Sequence, residues 1–159
     1  MIARLFAFVG PRLPLDAHYA VGNFIRDALD GNSIRISGDG TPFRSYLYAA
    51  DLSIWIWTIL FRGVPALPYN VGSTRAITIS ELARIVQSIS QTSSGIEIAA
   101  NPIPGLPAQR YVPATTRAEQ GLGLEALISL EEGVRRTFDW HREAQWHRGI
   151  EGRYDRANR

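Results

Sequence analysis

Arg44 ends the run Gly38-Asp39-Gly40-Thr41-Pro42-Phe43-Arg44, and it is the side chain best placed to do chemistry. A glycine turn delivers it to the start of a strand. There a planar guanidinium can meet a diphosphate with two parallel hydrogen bonds. The other reading is a surface arginine paired with Asp39 or Asp51. Arg110, in Arg110-Tyr111-Val112-Pro113, also has two readings. It is a second cation for the same anion, or a loop arginine that steadies a proline-rich segment. Asn70 leads into the turn Val71-Gly72-Ser73, where its amide satisfies backbone groups or touches a ligand. Asn23 and Phe24 could border a base or a sugar, and Phe24 also falls on the core face of its helix.

Other chemistries find no residues to carry them. The chain has no cysteine, which removes disulfides, thiolate catalysis and cysteine zinc sites. His141 and His147 are six residues apart and do not share a helical face as an i, i+4 pair would, so no metal site is expected. Glu131-Glu132 opens a helix, where acid is favourable, and is not a catalytic pair. Gly38-Asp39-Gly40 lacks the third glycine of a dinucleotide fingerprint, because position 43 is Phe, and it leads into a strand. No cofactor is therefore expected in this chain. A hydrophobic share of 45% and a net charge of +2 describe a globular protein with no footprint for nucleic acid or an anionic membrane. The apolar N-terminal run is broken by Arg4, Gly10 and Pro11, too early for a signal peptide or a membrane span, and a cytoplasmic location is expected.

Periodicity supplies the elements that must position these residues. Residues 2–9 read as one buried strand, stopped by Gly10-Pro11. Residues 19–30 form a helix with Val21, Phe24, Ile25, Ala28 and Leu29 inward, and Gly31 follows its end. Residues 33–37 and 43–48 are strands on either side of the glycine turn. Asp51 is expected as the N-cap of a helix over 52–62, stopped at Gly63. That helix is apolar nearly all round, so it should be buried on several sides, with Trp55 and Trp57 in the core. Thr78-Ile79-Ser80-Glu81 fits a capping box that opens a helix to about residue 90. Residues 96–99 are a strand and 101–113 an irregular segment. Ser129-Leu130-Glu131-Glu132 fits a second box, opening a helix through Trp140 and on towards Trp146. Strands alternate with helices, so the class is α/β. Residues 1–147 form one lobe, and 148–159 are expected as a frayed polar tail.

Several segments resemble the extended short-chain dehydrogenase/reductases, the nucleotide-sugar epimerases and dehydratases. Gly38–Arg44 is similar to their Gly-Asp-Gly-x-x-x-Arg, and Tyr69–Ser73 to their Tyr-Asn-Val-Gly segment. Thr78–Leu82 is similar to their Ile-Ser-Glu-Leu-Ala helix start. Arg110–Pro113 with Thr116-Arg117-Ala118 and Leu122-Gly123-Leu124 resembles their closing motif. Residues 3–12 resemble their first strand and Gly-Pro loop, with Ala7 where many members carry asparagine. The resemblance covers roughly residues 2–142. It implies the C-terminal, substrate-binding portion of a Rossmann-type protein: a small mixed sheet with helices, lacking the N-terminal dinucleotide-binding half. It implies that Arg44 and Arg110 hold the diphosphate of a nucleoside-diphosphate-sugar. NAD(P) is implied for the full-length parent and its upstream half. The chain has no lysine, so the family's Tyr-x-x-x-Lys pair is absent and no catalytic residue is expected here. An alternative is a stand-alone degenerate binding or assembly module, which Met1 directly before the first strand allows, and chance matches in an unrelated α/β domain are a third. An unpaired apolar strand leads to an expectation of self-association, as a homodimer or by segment exchange.

Overall fold

The computed structural model describes residues 1–157. The described residues form nine short strands and five helices, in the order β1 (Ile2–Leu5), β2 (Phe8–Val9), α1 (Ala20–Leu29), β3 (Ile34–Ile36), β4 (Phe43–Arg44), β5 (Leu47–Tyr48), α2 (Ala49–Arg62), β6 (Pro68–Val71), β7 (Ile77–Thr78), α3 (Ile79–Ser90), β8 (Ile96–Ile98), β9 (Arg110–Tyr111), α4 (Thr116–Leu122) and α5 (Leu130–Ala157). The polar tail expected over 148–159 falls at the end of α5 and beyond it, where side chains lie outside the described residues.

The sheets are small. β1 pairs with β6, β2 with β5 and β3 with β8, all parallel. β4 lies between β7, antiparallel to it, and β9, parallel to it. Two expected strands are thereby divided. The run 2–9 splits into β1 and β2, and the run 43–48 splits into β4 and β5, because its halves join different partners. β1 is also not buried: Ile2 is 50% and Leu5 46% exposed, since β1 has a strand on one side only. Gly10 lets the chain turn closely past α2, because a Cβ there would stand 2.4 Å from that of Ala49.

Two apolar clusters hold the elements together. In the larger, Phe24 and Ile25 of α1 meet Ile34 of β3, Leu82 and Val86 of α3 and Val134 of α5. The amphipathic patterns of α1 and α3 give these contacts directly. In the smaller, Trp55 and Ile59 of α2 pack with Tyr69 and Val71 of β6 and with Leu122. The indole Nε1 of Trp55 donates to the carbonyl of Glu125 at 3.0 Å, so this buried ring keeps its polar atom satisfied.

α2 departs from expectation in three ways. Its N-cap is Tyr48, and Asp51 lies within the first turn. The Asp51 carboxylate is buried and accepts the Ile128 backbone N–H at 2.9 Å, tying α2 to the entry of α5. The helix buries one side only. Trp55 is 1% exposed, whereas Trp57 is 59% exposed and is not a core residue. Apolarity all round reports what a helix is made of, and the number of layers against it decides how much is covered.

The start of α3 follows the sequence. Thr78 Oγ1 accepts the Glu81 N–H at 3.1 Å, and Glu81 accepts the Thr78 N–H at 2.7 Å. At α5, the Ser129 hydroxyl accepts the Glu132 N–H at 3.2 Å, but the Glu132 carboxylate turns to Arg135 and Arg136. The N–H of Thr78, with its hydroxyl, holds the Glu81 carboxyl below the usual carboxylate range. The fold therefore gains stability above the unfolded carboxylate pKa and loses it as pH falls through the lower, folded one. Thr78→Ala should cost about 1 kcal/mol in urea unfolding at neutral pH. Glu81→Gln should flatten the acid limb of the stability profile, and an unchanged limb would contradict the capping role.

Candidate functional site

β4 is two residues long, yet both its sides are paired. The Phe43 N–H donates to Gln109 at 2.7 Å, and the Ile79 N–H to Pro42 at 3.0 Å. The strand is thus fixed between the start of α3 and the segment before β9, and it carries Arg44 at its end. Arg44 lies where two cavities meet, one of about 320 Å³ and one of about 710 Å³, which share His18, Ala20, Arg44 and Ile79. The smaller reaches Asn23, Phe24, Ile36 and Ser37, against α1 and β3. The larger reaches Phe6, Ala7, Tyr19, Tyr46 and Tyr111, and most of its wall is apolar.

The arginine is almost uncommitted. Its Nη1 donates to the carbonyl of its neighbour Phe43 at 2.8 Å, and its guanidinium stands 6.0 Å from the Tyr111 ring. It is paired with neither Asp39 nor Asp51. Asp39 accepts instead from the N–H and hydroxyl of Thr41, and Asp51 from Ile128. Arg75, by contrast, forms a two-pronged pair with Glu131 at 2.7 and 2.5 Å. A cation left open at the mouth of an apolar cavity is a place for an anion with an apolar body.

The other expected site residues distribute unevenly. Asn23 and Phe24 line the smaller cavity with Arg44. With its amide nitrogen facing the carbonyls, Asn23 donates to Leu15 at 3.1 Å and Ala17 at 2.9 Å, so it also fixes the loop before α1. Phe24 is 2% exposed and belongs chiefly to the core. Asn70 lines neither cavity and donates to the Ala114 carbonyl at 2.9 Å, its backbone-satisfying role. Arg110 is exposed and also lines neither. In register it stands beside Phe43, whose ring is 5.5 Å from its guanidinium, while Arg44 stands beside Tyr111. Neighbouring residues of a strand point to opposite faces, so the two arginines do not converge here.

His18, Tyr46 and Tyr111 are cavity residues that the pattern of motifs did not single out. Tyr46 had a signal, since it follows Arg44 by two positions and faces the same cavity. Among the described residues its hydroxyl makes no hydrogen bond within the protein. Burial pushes its phenol up to about 12, against a smaller opposing pull from Arg44. It is a neutral hydrogen-bond donor throughout the physiological range.

The Gly38-Asp39-Gly40 turn does not form a dinucleotide cradle. The Gly38-Asp39-Gly40 turn is packed shut against α3: a Cβ at Gly40, where φ is +77°, would lie 2.0 Å from Ser80 Oγ, and the Ser80 N–H donates to the Gly40 carbonyl at 3.0 Å. No helix N-terminus follows it to receive a pyrophosphate. Among the described residues no group of three or more His, Asp or Glu side chains could hold a metal ion, and no helix is long and apolar enough to cross a membrane.

Comparison with known proteins agrees with this architecture. The model of the NAD dependent epimerase/dehydratase family matches residues 1–72. UDP-glucuronic acid decarboxylase 5 of Arabidopsis thaliana is 35% identical over 133 residues, which are 84% of this chain and 38% of that protein. UDP-glucuronic acid decarboxylase 1 of Xenopus tropicalis is 30% identical over 146 residues, 92% of this chain and 34% of that one. The crystal structure of UDP-glucose 4-epimerase from Thermotoga maritima with UDP-glucose has a TM-score of 0.80 at 26% identity, over 90% of this chain and 46% of that chain. The fold is thus that of the matching portion of Rossmann-type epimerases and dehydratases. The chain belongs to the NAD-dependent epimerase/dehydratase family of extended short-chain dehydrogenase/reductases and spans less than half the length of these relatives.

The raised phenol has a consequence at high pH. Between the unfolded value near 10 and the folded value of about 12, the unfolded chain ionises this tyrosine and the folded chain does not. Stability should therefore fall as pH rises through that window. Tyr46→Phe should remove this share of the loss in paired urea titrations, and an identical alkaline slope would show that the phenol is not held neutral.

Proposed function

We propose that this chain is the part of a nucleotide-sugar epimerase or dehydratase that holds the nucleoside diphosphate of the substrate. The observation that carries the reading is the open guanidinium of Arg44 at the junction of the two cavities. A diphosphate at that junction leaves one cavity for the nucleoside and the other for the sugar. The relatives support a uridine nucleotide, since they are named as UDP-glucuronic acid decarboxylases and a UDP-glucose 4-epimerase. Tyr46 offers a neutral donor beside the anion. Arg110 enters only by rotating about its strand, so its share is the smaller one.

Chemistry belongs to the rest of such an enzyme. The closed glycine turn and the lack of lysine leave this chain without a dinucleotide cradle or the family's tyrosine–lysine pair. An NAD(P)-binding half of the same enzyme supplies both. β1 is where that half would continue the sheet. A parallel pair normally has both faces covered, and all four residues of β1 are exposed.

Calorimetric titration with UDP and UDP-glucose tests the reading. Arg44→Ala should weaken binding by about ten- to a hundredfold, the worth of a charge-assisted hydrogen bond. Arg110→Ala should weaken it less. No binding by the natural chain, or equal binding by Arg44→Ala, would overturn the assignment. So would NAD-dependent turnover by the purified chain.

A further inference from the structure

His18 stands at the same junction as Arg44, and its side chain has no task in the fold. Of the four residues that line both cavities, only His18 and Arg44 can carry a charge. The imidazole is exposed, and among the described residues no hydrogen bond or ion pair engages it. The loop that carries it is nonetheless fixed. Asn23 donates to the Leu15 and Ala17 carbonyls, and Arg26 Nη1 donates to that of Leu15 at 3.2 Å. The Tyr19 N–H donates to the Ala17 carbonyl at 2.8 Å. The loop lies so close on α1 that a Cβ at Gly22 would stand 2.7 Å from the Pro14 carbonyl oxygen. Backbone held on both sides of His18 sets its position, although its imidazole is bonded to nothing.

We propose that His18 is a second contact for the substrate's diphosphate, and that as imidazolium it makes the affinity rise as pH falls. The inference rests on the diphosphate reading of Arg44. The surrounding charges favour it. Among the described residues no Asp or Glu lines either cavity, and the formal charges that do are the cations Arg44 and Arg35. Arg35 stands 3.5 Å from Glu97, in a pair that is largely exposed. Asp16, on the loop itself, is exposed and lines neither cavity. Asp27 of α1 accepts from Arg26 and from the Arg35 N–H, and Glu81 of α3 is closed on Thr78. The start of α1 has no side-chain cap, so its first amides add partial positive charge. Three phenols, of Tyr19, Tyr46 and Tyr111, complete the polar wall.

The junction is therefore positive and lacks its counter-charge until a ligand supplies it. An anion within reach of an imidazole favours the protonated form, as an opposite charge does for any titrating group. Binding and protonation then reinforce each other by linkage. A diphosphate takes up a proton at His18 as it binds, so it binds more tightly where the imidazolium is populated. No other group at the junction has this property. A guanidinium keeps its charge throughout the neutral range, and Tyr46, raised to about 12, stays neutral. Imidazole is the side chain whose charge changes there. In a nucleoside-diphosphate-sugar both phosphates are esterified, so the ligand's own charge is constant.

Calorimetric titration of the 159-residue chain with UDP-glucose at about pH 6 and about pH 8 tests it. The natural chain should bind about three- to tenfold more tightly at the lower pH, between the worth of an exposed ion pair and that of a charge-assisted hydrogen bond. His18→Gln should bind at both pH values as the natural chain does at pH 8. His18→Lys, which carries its charge at both, should bind more tightly than His18→Gln at pH 8. Titrations near pH 7 in two buffers of different protonation enthalpy should show net proton uptake by the natural chain and less by His18→Gln. His18 is exposed and unbonded, so these variants keep the fold, and a cooperative melt checks it. A His18→Gln chain that keeps the natural pH profile overturns the proposal. So does a His18→Lys chain no tighter than His18→Gln at pH 8. If Arg44→Ala alone weakens binding, His18 is excluded and the diphosphate reading stands. No binding by the natural chain at either pH removes both.

Discussion

The pairing of β4 on both sides is the constraint on which the site depends. A strand of two residues has almost no stability of its own. It is held because β7 arrives antiparallel on one side and β9 parallel on the other. β7 runs directly into the capping box of α3, and β9 ends the proline-rich segment, so three stretches far apart in sequence converge on Phe43 and Arg44. Closing such loops costs entropy that the short ladder alone would not offset. The larger apolar cluster offsets it by packing α1, α3 and α5 against one another behind the sheet. Core packing thereby fixes where a single guanidinium stands.

The electrostatic character of that position follows from what its neighbours already do. Asp39 is occupied by its own turn, Asp51 by the backbone before α5, and Glu81 by the N-terminus of α3. Each of these three carboxylates therefore has a structural partner, and none forms an ion pair with Arg44. A cation with one local hydrogen bond beside a largely apolar wall is poorly compensated in the free protein. An incoming phosphate gains what the protein leaves unmet, and the protein loses little by keeping this arginine solvated until then.

Local signals gave the parts of the fold that local physics determines. α1 and α3 were legible because each has one apolar stripe and a recognisable end, and the capping box of α3 formed as read. Arg44, Asn23 and Phe24 line a common cavity because the glycine turn and the helix stand where the sequence put them and a strand does begin at Phe43. Local signals are silent where a partner decides. Residues 43–48 carry no mark of the change of sheet at Ser45-Tyr46. The register that turns Arg110 away from Arg44 belongs to the β4–β9 pair, not to either segment. α2 contains no polar stripe from which to read a solvent side, and so burial could not be told from mere apolarity.

That last ambiguity has a physical meaning. β1 and α2 are both incompletely covered, but they are unsatisfied in different ways. β1 presents backbone donors and acceptors along its open edge, together with side chains exposed on both faces, and another strand is the natural partner for such a row. α2 presents side chains only, its backbone being bonded within the helix, and an apolar surface is its natural partner. A strand laid on α2 would bury its own unmet amides, and a helix laid on the edge of β1 would leave that edge's amides unpaired. The two surfaces are therefore not interchangeable. An extended sheet suits the first and an apolar side-chain surface the second.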